Sequence, residues 1–194
     1  MTLQQHMRQA GERALTSFPE KLRPDIYVVS LRISHGEYST VHELWDYPYD
    51  PYMAIGYNTE AEVKRNLDAA SDPDPGEIRW SYAYFLLDES GPIGHHPDDP
   101  TGTSLYLDEV KSRDLWDEND PTDEQLERLY AHFDEACVDV ARHLHASGLV
   151  EEVMGRPVPI VLFDMFRPEL EVELTRAANP SHLISDYTAF QEQP

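Results

Sequence analysis

The hydrophobic pattern of the chain is clearest between Thr122 and Gly148. Apolar residues recur there at spacings of three and four, which predicts one buried face of a long helix. Thr122 and Gln125 have the spacing of a capping box, and Gly148 can take the left-handed conformation that ends a last turn. The apolar face consists of Leu126, Leu129, Tyr130, Phe133, Cys137, Val140, Ala141 and Leu144. We expect a central amphipathic core helix over about 122–147.

Short runs rich in β-branched and aromatic residues predict strands. These runs cover residues 26–34, 40–45, 52–57, 79–87 and 159–163. A turn beginning at His35 would join the first two strands as a hairpin. Trp80, Tyr82 and Tyr84 alternate along the fourth run, so they would share one sheet face, which we expect to be the face packed under the helices.

Helical spacing and breaker residues predict the remaining elements. Helices are expected over 2–18, 59–70 and 149–154, after Pro168, and in a last short segment that starts at Ser181. The Pro-, Gly- and Asp-rich stretch 88–103 predicts an exposed loop, and 104–118 fits either strand or helix. This order predicts an α+β fold with a mostly antiparallel sheet packed against helices. Since no long linker divides the sequence, we expect one globular domain over 1–194.

Composition then narrows the class of protein. The chain has no run of 18 apolar residues that could span a membrane, and its first residues lack the apolar centre of a secretory signal. Cys137, the only cysteine, lies on the apolar face of the central helix, so we expect a buried, small hydrophobic side chain rather than a reactive thiol. These features predict a cytoplasmic protein.

Charge is the most unusual property of the sequence. There are 37 acidic and 15 basic residues, which gives a formal net charge of −22. Such a field argues against nucleic acids and anionic membranes as partners, because both are polyanions. Two explanations remain open, namely attraction to a basic protein partner and an acidic bias shared by the whole proteome.

Histidines and carboxylates offer two possible metal sites. His95 and His96 lie beside Asp98 and Asp99 in the predicted loop, and imidazole with carboxylate can bind zinc or nickel. Adjacent histidines seldom point at one ion, however, so a polar loop without metal is the favoured interpretation.

Glu135, Asp139 and His143 follow each other at steps of four on the central helix, opposite its apolar face. A solvated polar face is favoured there, because metal-binding helices usually present their ligands inward. His132 and His145 have the pattern of ordinary surface residues. We therefore predict no metal and no cofactor.

Catalytic motifs do not settle the function. The sequence contains no G-x-S-x-G turn, no phosphate-binding Walker loop and no dinucleotide fingerprint. A pair of carboxylates could support acid–base hydrolysis, but with 37 acids many pairs would be close by chance.

Aromatic residues give a better indication of a binding surface. Trp45, Tyr47, Tyr49 and Tyr52 crowd a segment that also holds Asp50 and is interrupted by prolines, which makes the segment hard to bury. Because tyrosine and tryptophan dominate the energy of protein interfaces, these five residues are the predicted partner-binding site.

The chain also resembles a family of uncharacterised bacterial domains of unknown function. The resemblance rests on the succession of six segments, which are IYVVSLRIS (26–34), GYNTEAEV (56–63), GEIRWSYAYF (76–85), the central helix, PIVLFDMFRP (159–168) and RAANPSHLISDY (176–187). It implies a compact α+β domain and supplies no catalytic residues. Relatives that lie near toxin systems imply an immunity-type role.

Together these observations favour a non-enzymatic acidic binding protein, immunity-like, that masks a basic protein such as a toxin or nuclease. The alternative is a hydrolase that uses a carboxylate pair or a loop metal site at His95 and His96. A third hypothesis is an acidic homo-oligomer without a small-molecule site.

Overall fold

A computed structural model describes residues 1–35, 51–86, 88–115, 122–164 and 167–192 of the protein. The strands within these ranges are β1 (Ile26–Ser34), β2 (Tyr52–Thr59), β3 (Ile93–Gly94) and β4 (Ile160–Asp164). The α-helices are α1 (Leu3–Thr16), α2 (Glu60–Ala69), α3 (Pro75–Trp80), α4 (Pro100–Ser112), α5 (Asp123–Ala146), α6 (Leu149–Met154), α7 (Glu171–Ala178) and α8 (Ser185–Gln191). Short 3₁₀ turns cover Arg23–Asp25, Tyr82–Tyr84, Pro168–Leu170 and Ser181–Leu183.

The described strands form one mixed sheet in the order β3–β2–β1–β4. β2 runs antiparallel to β1 and β3, whereas β4 runs parallel to β1. The carboxyl ends of β1 and β4 therefore lie side by side, with Ile33 opposite Asp164. The predicted α+β fold is confirmed. The predicted strand over 40–45, and the turn that would lead into it, lie outside the described residues.

Helices cover both faces of this sheet. The larger core packs α1, α4, α5, α6 and α7 against alternate residues of the strands, including Leu31 and Leu162. The smaller core packs α2, α3 and α8 against the opposite face, which includes Val28 and Phe163. Because both faces are covered, β1 and β4 are almost continuously apolar instead of alternating with polar residues.

The long helix α5 forms as its sequence predicts. Thr122 Oγ1 accepts the Gln125 N–H at 3.2 Å, and Gln125 Oε1 accepts the Thr122 N–H at 3.0 Å, which completes the capping box. Gly148 follows the helix with φ of 75°, the left-handed conformation expected there. The Cys137 thiol is fully buried on the apolar face, which confirms the predicted core position, and burial raises its pKa.

The helix α1 packs closely against α5 because Gly11 has no side chain. A Cβ atom at Gly11 would lie only 2.8 Å from Cγ1 of Val140, which is completely buried. This close approach fixes the separation of the two helices. It therefore also fixes the position of α1 along one side of α5.

The predicted strand over 79–87 is wrong. Asp74 Oδ1 accepts the N–H groups of Gly76 and Glu77, and Pro75 occupies the first helical turn, so this local cap starts α3 in place of a strand. Trp80 ends the helix and is buried against Tyr27 and Tyr187. Its expected core position is therefore confirmed, although it does not alternate with Tyr82 and Tyr84 along a strand.

The predicted loop 88–103 contains two regular elements. The short strand β3 extends the sheet at Ile93, and α4 begins at Pro100 after the cap residue Asp99. The ambiguous segment 104–118 is helical as far as Ser112. The other predicted helices, and the strands at 26–34, 52–57 and 159–163, are confirmed with small shifts of their ends. Within the described ranges, every helix is too short or too polar to cross a bilayer.

Candidate functional site

Three side chains with metal-binding atoms converge where the parallel strands end. His35 follows β1, Asp164 ends β4, and Asp134 projects from α5. His35 Nε2 lies 2.9 Å from Asp164 Oδ2 and 3.5 Å from Asp134 Oδ1. The exposed fractions of the His35, Asp134 and Asp164 side chains are only 4%, 7% and 0%. One atom of each residue lies within 4.8 Å of the other two.

The positively charged guanidinium group of Arg167 lies where the donor atoms of these three residues meet. Arg167 Nη2 donates to both carboxylate oxygens of Asp134 at 2.9 Å and lies 2.7 Å from Asp164 Oδ2. The same nitrogen contacts His35 Nε2. We call His35, Asp134, Asp164 and Arg167 the buried charge cluster. Burial lowers the pKa of Arg167, but the hydrogen bonds to Asp134 and the charges of both carboxylates outweigh this effect and leave the pKa raised.

Neighbouring groups hold the cluster in position. Asp164 Oδ1 accepts the backbone N–H of Arg167 at 3.1 Å, which ties Arg167 to the end of β4. The Tyr130 ring lies 4.6 Å from the His35 ring and 4.8 Å from the Arg167 guanidinium carbon. Glu171 Oε1 accepts the backbone N–H of Asp164 at 3.2 Å. Burial raises the pKa of Glu171 to about 7, and the Asp164 charge adds to this effect.

The cluster was not foreseen from the sequence, although its residues interrupt apolar patterns. His35 and Asp164 directly terminate the two most apolar strands, and Asp134 stands between Phe133 and Cys137 at the edge of the apolar face of α5. One imidazole and two carboxylates form a ligand set that suits divalent transition metals. The carboxyl ends of parallel strands are also the usual location of ligand sites in α/β sheets.

A groove of about 670 Å³ lies along the outward face of α5. It is lined by α5 itself, by α1 and α4 on one side, and by α7 with Leu170 on the other. Its carboxylates belong to Glu109, Asp134, Glu135, Asp139 and Glu173. Its guanidinium groups belong to Arg113 and Arg142. We call this surface the α5 groove; it shares Asp134 with the buried charge cluster.

Most arginines of the protein are engaged in internal contacts. Seven of them form ion pairs with other described residues, and these pairs are Arg8–Asp139, Arg32–Glu89, Arg65–Glu62, Arg79–Glu60, Arg113–Glu109, Arg167–Asp134 and Arg176–Glu192. Arg142 donates instead to the carbonyl oxygen of Ala177 at 2.6 Å. In contrast, the exposed carboxylates of Glu135 and Glu173 make no ion pair with any described residue. The surplus of negative charge therefore includes carboxylates that face solvent in the groove.

The predicted partner-binding residues are only partly within the described chain. Trp45, Tyr47, Tyr49 and Asp50 lie outside the described residues. Tyr52 begins β2 and is half-buried, with its ring against His96 and the Arg32 guanidinium. Its role in partner binding stays a prediction.

His95 and His96 are oriented by different neighbours. The His95 ring stacks on Tyr106, with ring centres 5.4 Å apart. His96 Nδ1 accepts the backbone N–H of Asp98 at 3.1 Å. Asp99 caps α4 and accepts from Gly94, Gly102 and His6, so its carboxylate serves the fold. Among the described residues, the group with metal-binding geometry is the one at His35.

The polar residues of α5 are less exposed to solvent than expected. Glu135 is exposed, as predicted, but Asp139 and His143 contact α1 through Arg8 and Glu12, at 2.6 and 2.7 Å respectively. The surface assignment of His145 is wrong, because its Nε2 bonds to Asn179 Oδ1 at 3.0 Å and burial lowers its pKa. These contacts join helices that are far apart in sequence, which is why helical spacing alone did not reveal them.

Comparison with known proteins yields no match to a protein-family model, to a curated protein or to a solved structure. The resemblance to a bacterial domain family stays a prediction. A candidate function must therefore come from the chemistry of the chain's own residues.

Proposed function

We propose that the chain is a binding protein for a basic protein partner, and that the α5 groove is its contact surface. The observation that carries this proposal is that Glu135 and Glu173 are exposed in one groove without an ion-pair partner among the described residues. The other three carboxylates of the groove, those of Glu109, Asp134 and Asp139, are each paired with an arginine. A cationic segment would gain the attraction of Glu135 and Glu173 without first breaking an internal ion pair.

The charge of the whole chain supports the same partner class. With a formal net charge of −22, the protein attracts cations over distances of about 8 Å, the screening length at physiological salt. Such a field raises the association rate of a basic partner and lowers that of polyanions. It also disfavours a second copy of this chain, which would bring the same negative charge to the groove.

The groove offers apolar contacts as well as charge. The half-buried Leu170 and Leu174 lie on its α7 side and the exposed Ala131 lies on α5, whereas Leu3 and Val138 at its base are buried. A partner segment with an apolar stripe beside lysine or arginine would match this arrangement, as amphipathic helices match grooves in other proteins. Charge would set the association rate, and burial of the stripe would slow dissociation.

An immunity-type role is the specific form of this proposal that the family resemblance implies. In that form the partner is a basic toxin or nuclease, and the acidic surface masks its cationic, nucleic-acid-binding face. The first experiment is a pull-down from native lysate at low salt, eluted by raising the salt, followed by mass spectrometry of the eluate and purification of the partner found.

Two charge-reversal variants of equal net charge make the experiment specific. The groove variant carries Glu135→Lys and Glu173→Lys, whereas the control carries Glu151→Lys and Glu152→Lys on α6, outside the groove, where both glutamates are exposed. We expect the groove variant to bind the purified partner at least about tenfold more weakly than the control, as measured by calorimetry. Equal weakening in both variants, or binding that is independent of salt, would refute the proposal.

A further inference from the structure

We propose that His35, Asp134 and Asp164 form a binding site for one divalent transition-metal ion, in which Arg167 is the resident and displaceable cation. The proposal does not depend on any protein partner, although the site shares Asp134 with the α5 groove. It rests on the geometry of the donor atoms, on their burial and on the position of the Arg167 guanidinium group.

The donor atoms have the separations that a metal requires. An ion about 2.1 Å from each ligand holds its neighbours about 3.0 Å apart at octahedral angles and about 3.4 Å apart at tetrahedral ones. The observed separations from His35 Nε2 are 2.9 Å to Asp164 and 3.5 Å to Asp134. Asp164 and Asp134 lie on β4 and α5, which are packed into the core, and His35 directly follows β1. Ligands held on rigid elements need little rearrangement to bind an ion.

The position of Arg167 indicates where that ion would sit. One of its guanidinium nitrogens lies within 2.9 Å of three carboxylate oxygens and contacts the imidazole nitrogen. The donor atoms are therefore already aimed at one cationic centre. A divalent ion at this centre would bring more positive charge to the two buried carboxylates than the single charge of the guanidinium group does.

Arg167 can leave this centre more easily than the ligands can. Its side chain is 15% exposed, compared with at most 7% for the two carboxylates, and it comes from the turn that precedes Pro168 at the surface. The backbone N–H of Arg167 remains bonded to Asp164 Oδ1 when only the side chain rotates. A ligand set with one nitrogen favours zinc, cobalt, manganese or iron over calcium and magnesium, which prefer oxygen alone.

Cobalt(II) binding is followed by calorimetry, which gives the stoichiometry, and by the change of the ligand-field bands relative to aqueous cobalt, because a nitrogen ligand shifts these bands and loose binding to surface carboxylates leaves them nearly unchanged. We expect one equivalent of cobalt to bind the wild type and to be displaced by zinc. His35→Gln should abolish the band shift, and Arg167→Gln should bind cobalt at least tenfold more tightly than wild type. His96→Gln and Arg32→Gln, a histidine and a paired arginine outside the cluster, should bind cobalt like the wild type.

Each other outcome overturns the proposal. Absence of a stoichiometric band shift in the wild type at millimolar cobalt shows that Arg167 is not displaced. A band shift that persists in His35→Gln places the ion elsewhere. Unchanged affinity in Arg167→Gln shows that this arginine does not compete with the metal. If Arg167→Gln does not fold, the comparison of wild type with His35→Gln decides whether the metal site exists. Refolding of Arg167→Gln by zinc would then support the proposal.

Discussion

Gly11→Ala tests how tightly α1 packs against α5. In an exposed helix this change stabilises by about 1 kcal/mol, because alanine has the higher helix propensity. Here the added methyl carbon would lie 2.8 Å from Val140 Cγ1 and 3.6 Å from Ile55 Cδ1. Val140 is completely buried, and as a β-branched residue in a helix it has essentially one rotamer, so it cannot turn away.

The cost of this overpacking decides whether Gly11→Ala raises or lowers the free energy of unfolding. Forcing an additional methyl group into a filled core costs about 1–3 kcal/mol, which exceeds the propensity gain. We therefore expect Gly11→Ala to destabilise the protein by about 1 kcal/mol, which corresponds to a fall in Tm of about 2–4 °C for a chain of this size. The measurement is equilibrium unfolding in urea, with an unchanged m value as evidence that only stability has altered.

Val140→Ala supplies the matched background. Removing the branch that the new methyl would strike should reverse the effect, so that Gly11→Ala stabilises the Val140→Ala protein by about 1 kcal/mol. A coupling free energy of about 2 kcal/mol between the two sites is the expected result. Stabilisation of the wild type by Gly11→Ala, or the same effect in both backgrounds, would show that the contact is loose and refute the reasoning.

Three further predictions concern single side chains. Burial raises the pKa of Glu171 from 4.5 to about 7, so the stability that its protonated form confers is complete below pH 4.5 and is lost as the pH rises through 7. Glu171→Gln should therefore become more stable relative to wild type by about 1 kcal/mol over that pH interval, a value reduced to allow for partial exposure. A difference in urea unfolding that stays constant with pH would contradict this prediction. Thr122→Ala removes the capping box of α5 and should cost about 1 kcal/mol in thermal unfolding, whereas an unchanged Tm would argue against the cap. Asn179 bonds to both backbone groups of Ile160 and to His145, so Asn179→Ala should cost about 2–4 kcal/mol in urea unfolding, and a loss below 1 kcal/mol would contradict this assignment.

Local sequence signals predicted much of the fold. The limits of α5 follow from Thr122, Gln125 and Gly148, because capping involves residues only a few positions apart. The strand at 26–34 was equally clear from its apolar run. The strand prediction for 79–87 is wrong because it rests on the β propensity of aromatic residues and neglects the helix start at Asp74 and Pro75, a signal that is also local.

The buried charge cluster and the α5 groove could not be predicted in this way. The cluster joins His35 to residues about a hundred or more positions later. The parallel pairing of β1 with β4 brings Asp164 and Arg167 to His35, and the packing of α5 on the sheet brings Asp134. The ion pair between Arg8 and Asp139 likewise depends on how two helices pack. Spacing along the chain predicted the polar face of α5. The sides of the α5 groove are formed by α1, α4 and α7, and their packing against α5 cannot be inferred from spacing along one helix.

The parallel pairing of β1 with β4 also constrains how the protein can fold during synthesis. β1 and β2 can pair as soon as both leave the ribosome, but β4 follows Thr59 by about a hundred residues, which take roughly 5–20 s to synthesise. Throughout that interval one long edge of the apolar strand β1 lacks its eventual neighbour and can pair with another nascent chain. Completion of the sheet is therefore a late event of biogenesis, and chains terminated before Ile160 should depend on chaperones or aggregate.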